Sequence, residues 1–296
     1  MKVKINSYGF YERVKMPSVA NVKEMFGDQY YQGEAGKTSY SAQYSNQEKR
    51  SFFRNAMKKD LILKHFLQED RKKNILDIGC GEGYVLKYFY EKGWDVTGVD
   101  LSEYGIMTHN SDMRKFLQQG DCNEILEKMA KQEQKFDVVN TDLFLEACVE
   151  PVRTLMNIKS IIKAGTGIVL IRVGNYLSPL HKELLKRRIL QEDMWFDRVG
   201  NYSYFGKDSL EKLLREIGFE SIGWYGDTFV DFNLLNPRTY YYGNSAEVVG
   251  KACYKAMLDI EDIIESESLE KMVELEKVMG DLGLGRHITC VCKRTS

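Results

Sequence analysis

Between Asn74 and Tyr225 the chain alternates short apolar runs with helix-patterned stretches, and few folds satisfy that beat. Asn74–Ile78 (NILDI) and Asp95–Asp100 (DVTGVD) read as strands; residues 116–121 give a weak third, and 136–140 (FDVVN) a fourth. Residues 167–173 (GIVLIRV), 219–225 and, further on, 287–293 (HITCVCK) read as a fifth, sixth and seventh. All are short and rich in β-branched residues. The stretches between them carry helix signals. Residues 82–92 end at Gly93, Ser102 stands where it would cap a helix running to Asn110, Pro151 suits a first turn, and residues 208–217 end at Gly218. A parallel strand pair needs a crossover over one face of the sheet. The alternation therefore predicts an α/β fold whose mainly parallel sheet has helices on both faces.

Three segments break the beat. Residues 1–47 cluster Tyr30, Tyr31, Tyr40 and Tyr44 and read as an irregular packed arm, followed by a helix-patterned stretch over 46–68. The expected division is an N-terminal Tyr-rich arm and helix over 1–70, and an α/β domain over 71–296 with inserts at 174–206 and 227–285. The second insert carries a long acidic helical stretch over 246–282. Ligands of open α/β sheets bind beyond the carboxyl ends of the strands, so the inserts are expected as helical caps over an acceptor. Solvated decoration or a dimer surface is the other reading, and a homo-oligomer is compatible with it.

Composition narrows the function classes. The 42 basic and 43 acidic residues nearly cancel, so there is no global attraction to nucleic acid, and none is expected as partner. No run of about 18 apolar residues marks a membrane span, and the first residues lack a secretory pattern; a cytoplasmic setting is expected. The six cysteines are scattered without a CxxC pair and read as small buried hydrophobes. The histidines show no metal-binding spacing, so no metal is expected.

The stretch that carries chemistry is Leu76-Asp77-Ile78-Gly79-Cys80-Gly81-Glu82-Gly83, where the first of these strands turns into a helix. Glycines there permit a sharp turn and close approach of a ligand to the main chain, beside the free N–H groups of a helix start. A dinucleotide turn would read GxGxxG; here the spacing is GxGxG, with Tyr84 in the position of the third glycine. Asp77, two residues before the first glycine, suits a ligand with a cationic end and would repel a pyrophosphate. S-adenosylmethionine carries an ammonium and a sulfonium.

This run resembles the first motif of class I S-adenosylmethionine-dependent methyltransferases. The resemblance continues through Val96-Thr97-Gly98-Val99-Asp100, Gly120-Asp121-Cys122, Phe136-Asp137-Val138-Val139 and Leu213-Leu214-Arg215-Glu216-Ile217-Gly218-Phe219. It implies a seven-stranded sheet with its last strand antiparallel. It implies S-adenosylmethionine as cofactor, with Asp77, Gly79, Cys80 and Gly81 at the turn, Asp100 and Leu101 on the ribose, Asp121 and Cys122 at the adenine, and Asn140 near the methionine portion. The spacing of 19 residues from Gly81 to Asp100 also suits a nicotinamide site. Tyr31 is a candidate to close over the cofactor; Tyr30, Tyr40 and Arg172 are candidates for the acceptor.

Many relatives that methylate small molecules carry Leu-Glu-His after the fourth strand; here the run is Leu145-Glu146-Ala147. No catalytic histidine is carried over. Glu146, and His181 in Ser178-Pro179-Leu180-His181, remain as acid/base candidates, with a surface histidine at a helix start as the alternative for His181. The expected activity is methyl transfer to an O or N of a small molecule, such as a sugar, sugar nucleotide or natural-product intermediate. The alternatives are a protein or RNA methyltransferase, a nicotinamide-dependent dehydrogenase, and a non-catalytic S-adenosylmethionine-binding assembly protein.

Overall fold

The computed structural model describes residues 2–18, 21–22, 25–26, 43–67, 73–192, 194–197, 200–227, 229–242 and 246–295. Tyr30, Tyr31 and Tyr40 lie outside the described residues.

The strands β3 (Asn74–Ile78), β4 (Asp95–Asp100), β5 (Leu117–Gln119), β6 (Val138–Asp142), β7 (Ile168–Gly174), β9 (Phe219–Asp227) and β10 (His287–Arg294) form one seven-stranded sheet. Its order is β5-β4-β3-β6-β7-β10-β9. Only β10 runs antiparallel to its neighbours: it enters between β7 and β9, with Cys290 opposite Ile171 on one side and Trp224 on the other. The expected sheet, with its antiparallel last strand, is therefore present.

Strand alternation divides the core into two layers. Leu76, Ile78, Val139, Val169 and Ile171 point to one face, under Leu126 of α4 (Cys122–Lys131), Leu155 and Ile158 of α5 (Pro151–Ile161) and Leu213 of α7 (Lys207–Ile217). Ile75, Val138, Ile168 and Leu170 point to the other face. There they meet Leu63 of α1 (Asn46–Lys64), Phe89 of α2 (Tyr84–Glu91), Ile106 of α3 (Tyr104–His109) and Val273 of α9 (Leu269–Asp281). Each apolar residue on these strands is fully buried, and such a side chain contributes about 1.5–3 kcal/mol.

Local chemistry sets the helix ends. Ser45 and Glu48 form a reciprocal capping box at α1, and Asp121 accepts from Asn123 N and Glu124 N at α4. α2 begins two residues later than the sequence pattern implied, because Gly83 sits at φ 78°. Ser102 does not cap α3: the helix starts at Tyr104 and Ser102 Oγ accepts from Tyr104 N at 3.0 Å, closing a turn just ahead of it. The fourth strand lies two residues further along than expected. Phe136 makes only an isolated bridge to Ile162.

The arm is not wholly irregular. β1 (Val3–Ile5) and β2 (Tyr11–Arg13) form a hairpin that adds β8 (Ser203–Tyr204) from the first insert. That insert also holds α6 (Pro179–Lys186), and it gathers Tyr176, Leu184, Leu190, Trp195 and Tyr204 into a small separate core. The second insert packs against the body of the domain, and no described residue of either insert lines the cavity at the end of the sheet. α9 lies on β9 and beside α1, completing one helical layer. α8 (Ala246–Glu267) is tied to α1 by Arg54, which is 1% exposed and donates to Glu261 at 2.7 Å, Glu265 at 2.6 Å and Asp262. No described helix is long and apolar enough to cross a membrane.

Candidate cofactor site

The loop after β3 folds back on β4. Gly79 N and Cys80 N both donate to Val99 O, at 2.8 and 3.2 Å. Gly79 has φ +73°, and a Cβ there would stand 2.6 Å from the Phe144 ring; only glycine satisfies both demands. Gly81 N donates at 2.9 Å to Asp100 Oδ2, while Asp100 Oδ1 accepts from Ser102 N at 3.0 Å. The last residue of β4 thus fastens the glycine turn and faces the carboxyl end of the sheet.

A cavity of about 120 Å³ opens at that end, between the turn, the β4 and β5 termini and the connection from β6 to α5. Ordinary ligand pockets run to about 300–1,000 Å³; this one is narrowed by Phe144, stacked against Gly79, and by Phe26 from the arm. Gly79, Asp100, Leu101, Asp121 and Cys122 line it, as the sequence implied. Asp142 and Glu150 line it too, Asp142 paired to Lys59 and Arg172 and Glu150 to Arg153. No lysine, arginine or histidine is among its described lining residues. Phe144, Ala147 and Cys148 form a wall that the sequence reading passed over. Its signal was the end of the fourth strand, where a chain leaving the carboxyl edge must border the site. Leu143, at φ 51°, makes the turn that aims Phe144 at Gly79.

The remaining site candidates take other places. Asp77 is buried behind the turn, where its Oδ1 accepts from Asn140 Nδ2 at 2.6 Å. Burial pushes its pKa up to about 7, helped by Asp142 and Asp100 and opposed by the Asn140 hydrogen bond and Lys59. Asn140 Oδ1 and Thr141 Oγ1 are buried with no hydrogen-bond partner among the described residues. Cys80 packs its sulfur against Gly98. Within the turn, Glu82 accepts from the Tyr44 hydroxyl, and burial pushes it up to about 7 against that bond.

Three candidates are corrected by the geometry. His181 is neither a surface residue nor a cavity residue: it is 0% exposed and meets Asp231 Oδ2 at 2.9 Å. Glu146 is buried, with Oε1 accepting from Gly174 N at 3.2 Å, and it does not line the cavity. Arg172 is spent on internal carboxylates, at 2.7 Å from Asp142 Oδ1 and through Nε at 2.8 Å from Asp227 Oδ2. Burial alone would raise Asp142, but Arg172 and Lys59 hold it far below the ordinary carboxylate range. Arg172 also touches His287, whose pKa falls to about 4 through burial and this guanidinium, against Asp227.

Comparison with known proteins supplies the remaining finding. A model described as a methyltransferase domain matches residues 49–222. The chain is similar to the ubiquinone biosynthesis O-methyltransferase of Coxiella burnetii (strain RSA 493 / Nine Mile phase I), 32% identical over 95 residues, or 31% of this chain and 40% of that one. The match thus spans less than half of that relative's length. It is also similar to the ubiquinone biosynthesis O-methyltransferase of Nitrosomonas europaea, 27% identical over 180 residues, covering 60% of this chain and 73% of that one. Among solved structures, a SAM dependent methyltransferase from Archaeoglobus fulgidus shares 18% identity at TM-score 0.49, covering 81% of this chain and 94% of that one. The family model takes in the glycine turn, Asp100, Asp121 and the β6 wall together, and by that match this chain belongs to the methyltransferase-domain family.

Proposed function

We propose that the cavity binds S-adenosylmethionine and that the chain directs its methyl group to an oxygen or nitrogen of a small-molecule acceptor. The observation that carries this reading is the setting of the cavity: Asp100 and Asp121, which accept from backbone N–H groups, line it beside a glycine turn, with no cationic lining side chain among the described residues. A pyrophosphate would meet repulsion there, and a cationic nucleoside ligand would not. Bound, the cofactor supplies a methyl group on a sulfonium, which an O or N nucleophile displaces in one step.

The chain's part is to bind, align and dry. Asp100, already held by two backbone N–H groups, presents acceptor lone pairs to a diol; each charge-assisted bond contributes about 1.5–3 kcal/mol. Asn140 Oδ1 and Thr141 Oγ1, on β6 ahead of the lining residue Asp142, are buried polar atoms with no hydrogen-bond partner among the described residues. Phe26, Leu143, Phe144 and Val149 give the cavity an apolar side that suits an apolar acceptor and excludes water. Alignment of donor and acceptor alone removes several kcal/mol of barrier. Asp142 lines the cavity, yet its depressed pKa makes it an acceptor of hydrogen bonds and a poor base. The relatives' names support oxygen as the methylated atom.

Calorimetric titration with S-adenosylmethionine, S-adenosylhomocysteine and NADH tests the reading. Micromolar binding of both adenosyl ligands and none of NADH is expected. NADH binding without adenosyl binding would sink it.

A further inference from the structure

Two of the six cysteines border the same cavity. Cys122 opens α4 directly after Asp121, and Cys148 lies on the connection from β6 to α5; both are lining residues. Their sulfurs converge on one hydroxyl: Thr154 Oγ1, on α5, lies 3.2 Å from Cys148 Sγ and 3.9 Å from Cys122 Sγ. Both thiols thus approach the same atom from the two sides of the cavity wall. Such proximity is what a disulfide requires of its partners. Cys290 and Cys292 also neighbour each other on β10, but they, Cys80 and Cys253 are buried and do not line the cavity.

We propose that Cys122 and Cys148 form a reversible disulfide that pinches the adenine end of the cavity and makes cofactor binding sensitive to peroxide. The proposal rests on the cavity being the S-adenosylmethionine site. A bond between these sulfurs would tie the start of α4 to the wall after β6, across the space beside Asp121. The cavity gives a small oxidant access to both thiols, and a bound adenosyl ligand would shield them.

The local chemistry favours Cys148 as the first to react. The neighbouring Cys122 thiol holds the Cys148 pKa below the ordinary thiol range, with burial opposing and Thr154 assisting. The same contact, with burial, raises Cys122. The thiolate is the nucleophile. Cys148 attacks one oxygen of hydrogen peroxide, the O–O bond breaks, and Cys148 becomes a sulfenic acid as hydroxide leaves. Cys122 then attacks the Cys148 sulfur; the S–S bond forms and the S–O bond breaks. The hydroxyl departs as water with the proton of Cys122, and the hydroxide takes the proton first released by Cys148. Two thiols and one peroxide give one disulfide and two waters.

The experiment treats the whole chain with hydrogen peroxide, removes the oxidant with catalase, and splits the sample. One part is alkylated and digested without reduction; the other is titrated with S-adenosylhomocysteine. The expected result is a peptide pair joined through Cys122 and Cys148, with affinity lowered at least tenfold and restored by dithiothreitol. Saturating S-adenosylhomocysteine during oxidation should suppress the cross-link. Cys122→Ser and Cys148→Ser, checked for folding by circular dichroism, should each show the same affinity before and after peroxide. A different cysteine pair, or oxidation of both thiols without a cross-link, overturns the bond. A Cys122–Cys148 cross-link with unchanged affinity overturns its effect on the cavity. If the reduced protein binds no S-adenosylhomocysteine, the cofactor reading falls and the gating with it, while the digest still decides whether the bond forms.

Discussion

The two ends of the sheet's carboxyl edge handle buried charge in opposite ways. Around β3 and β4, carboxylates are held by backbone donors: Asp100 by Gly81 N and Ser102 N, Asp121 by Asn123 N and Glu124 N. Around β7, β10 and β9, carboxylates are met by side-chain cations: Asp227 by Arg172, Asp231 by Arg286 at 2.7 Å, Glu276 by Lys58 at 2.6 Å. An N–H group partly satisfies a carboxylate and leaves its charge in place. A lysine or arginine cancels the charge. At the first end backbone donors hold the two acids in place, and at the second side-chain cations draw them into a structural network. Asp142 stands on the border, lining the cavity while paired to Lys59 and Arg172.

This contrast can be broken most directly at Arg172. Arg172→Met leaves Asp142 with Lys59 alone and strips Asp227 of its guanidinium, and a loss of about 3–5 kcal/mol is expected in denaturant unfolding. A loss below about 1 kcal/mol would mean that the network is not structural.

Asp77 gives the next effect. Folded, it keeps its proton to about pH 7, against an ordinary value of 3.8. Between those values the folded state binds more protons, so stability falls as pH rises from 4 to 7 and is flat above. The penalty at pH 8 is about 2–4 kcal/mol. Asp77→Asn, which keeps an acceptor for Asn140, should remove that slope when unfolding is compared across the range. Parallel slopes in the two proteins would show that Asp77 is not a strained acid.

Asp100→Ala should act mainly on the ligand, lowering S-adenosylhomocysteine affinity at least tenfold, or about 1.4 kcal/mol. Wild-type affinity by calorimetry would take Asp100 out of the site. Smallest is Ser268→Ala. Ser268 Oγ accepts from Lys271 N at the start of α9, and its loss should cost about 1 kcal/mol with ligand affinity unchanged. A change in affinity would mean that α9 does more than complete the layer.

The sequence disclosed those parts of the molecule that local rules dictate. β3 and β4 were legible to the residue because a short β-branched run, bounded by a glycine turn or a helix, leaves little choice. Gly79 was legible in the spacing of the turn, whereas Asp100 and Asp121 entered through the family resemblance. The hairpin of β1 and β2 was not legible, since three-residue strands show no period. Nor were the partners of Arg172, His181 and Lys59. Asp227 is 55 residues from Arg172, and Asp231 is 50 from His181; no local pattern encodes pairs made by the tertiary fold. For that reason His181 and Arg172 read as site residues when their polar groups are spent inside the structure.

The placement of β10 sets an order of assembly. It is made after both strands it joins, and it enters between them. On the ribosome, β9 and α9 emerge with no sheet to complete, because the only strand that links β9 to β7 has yet to be synthesised. The cavity half can settle first, while the charge network waits for His287 and Arg286 at the start of β10. Ligand-binding geometry would then mature earlier in synthesis than stability does, and a nascent chain halted before β10 should already carry the glycine turn but not the closed edge.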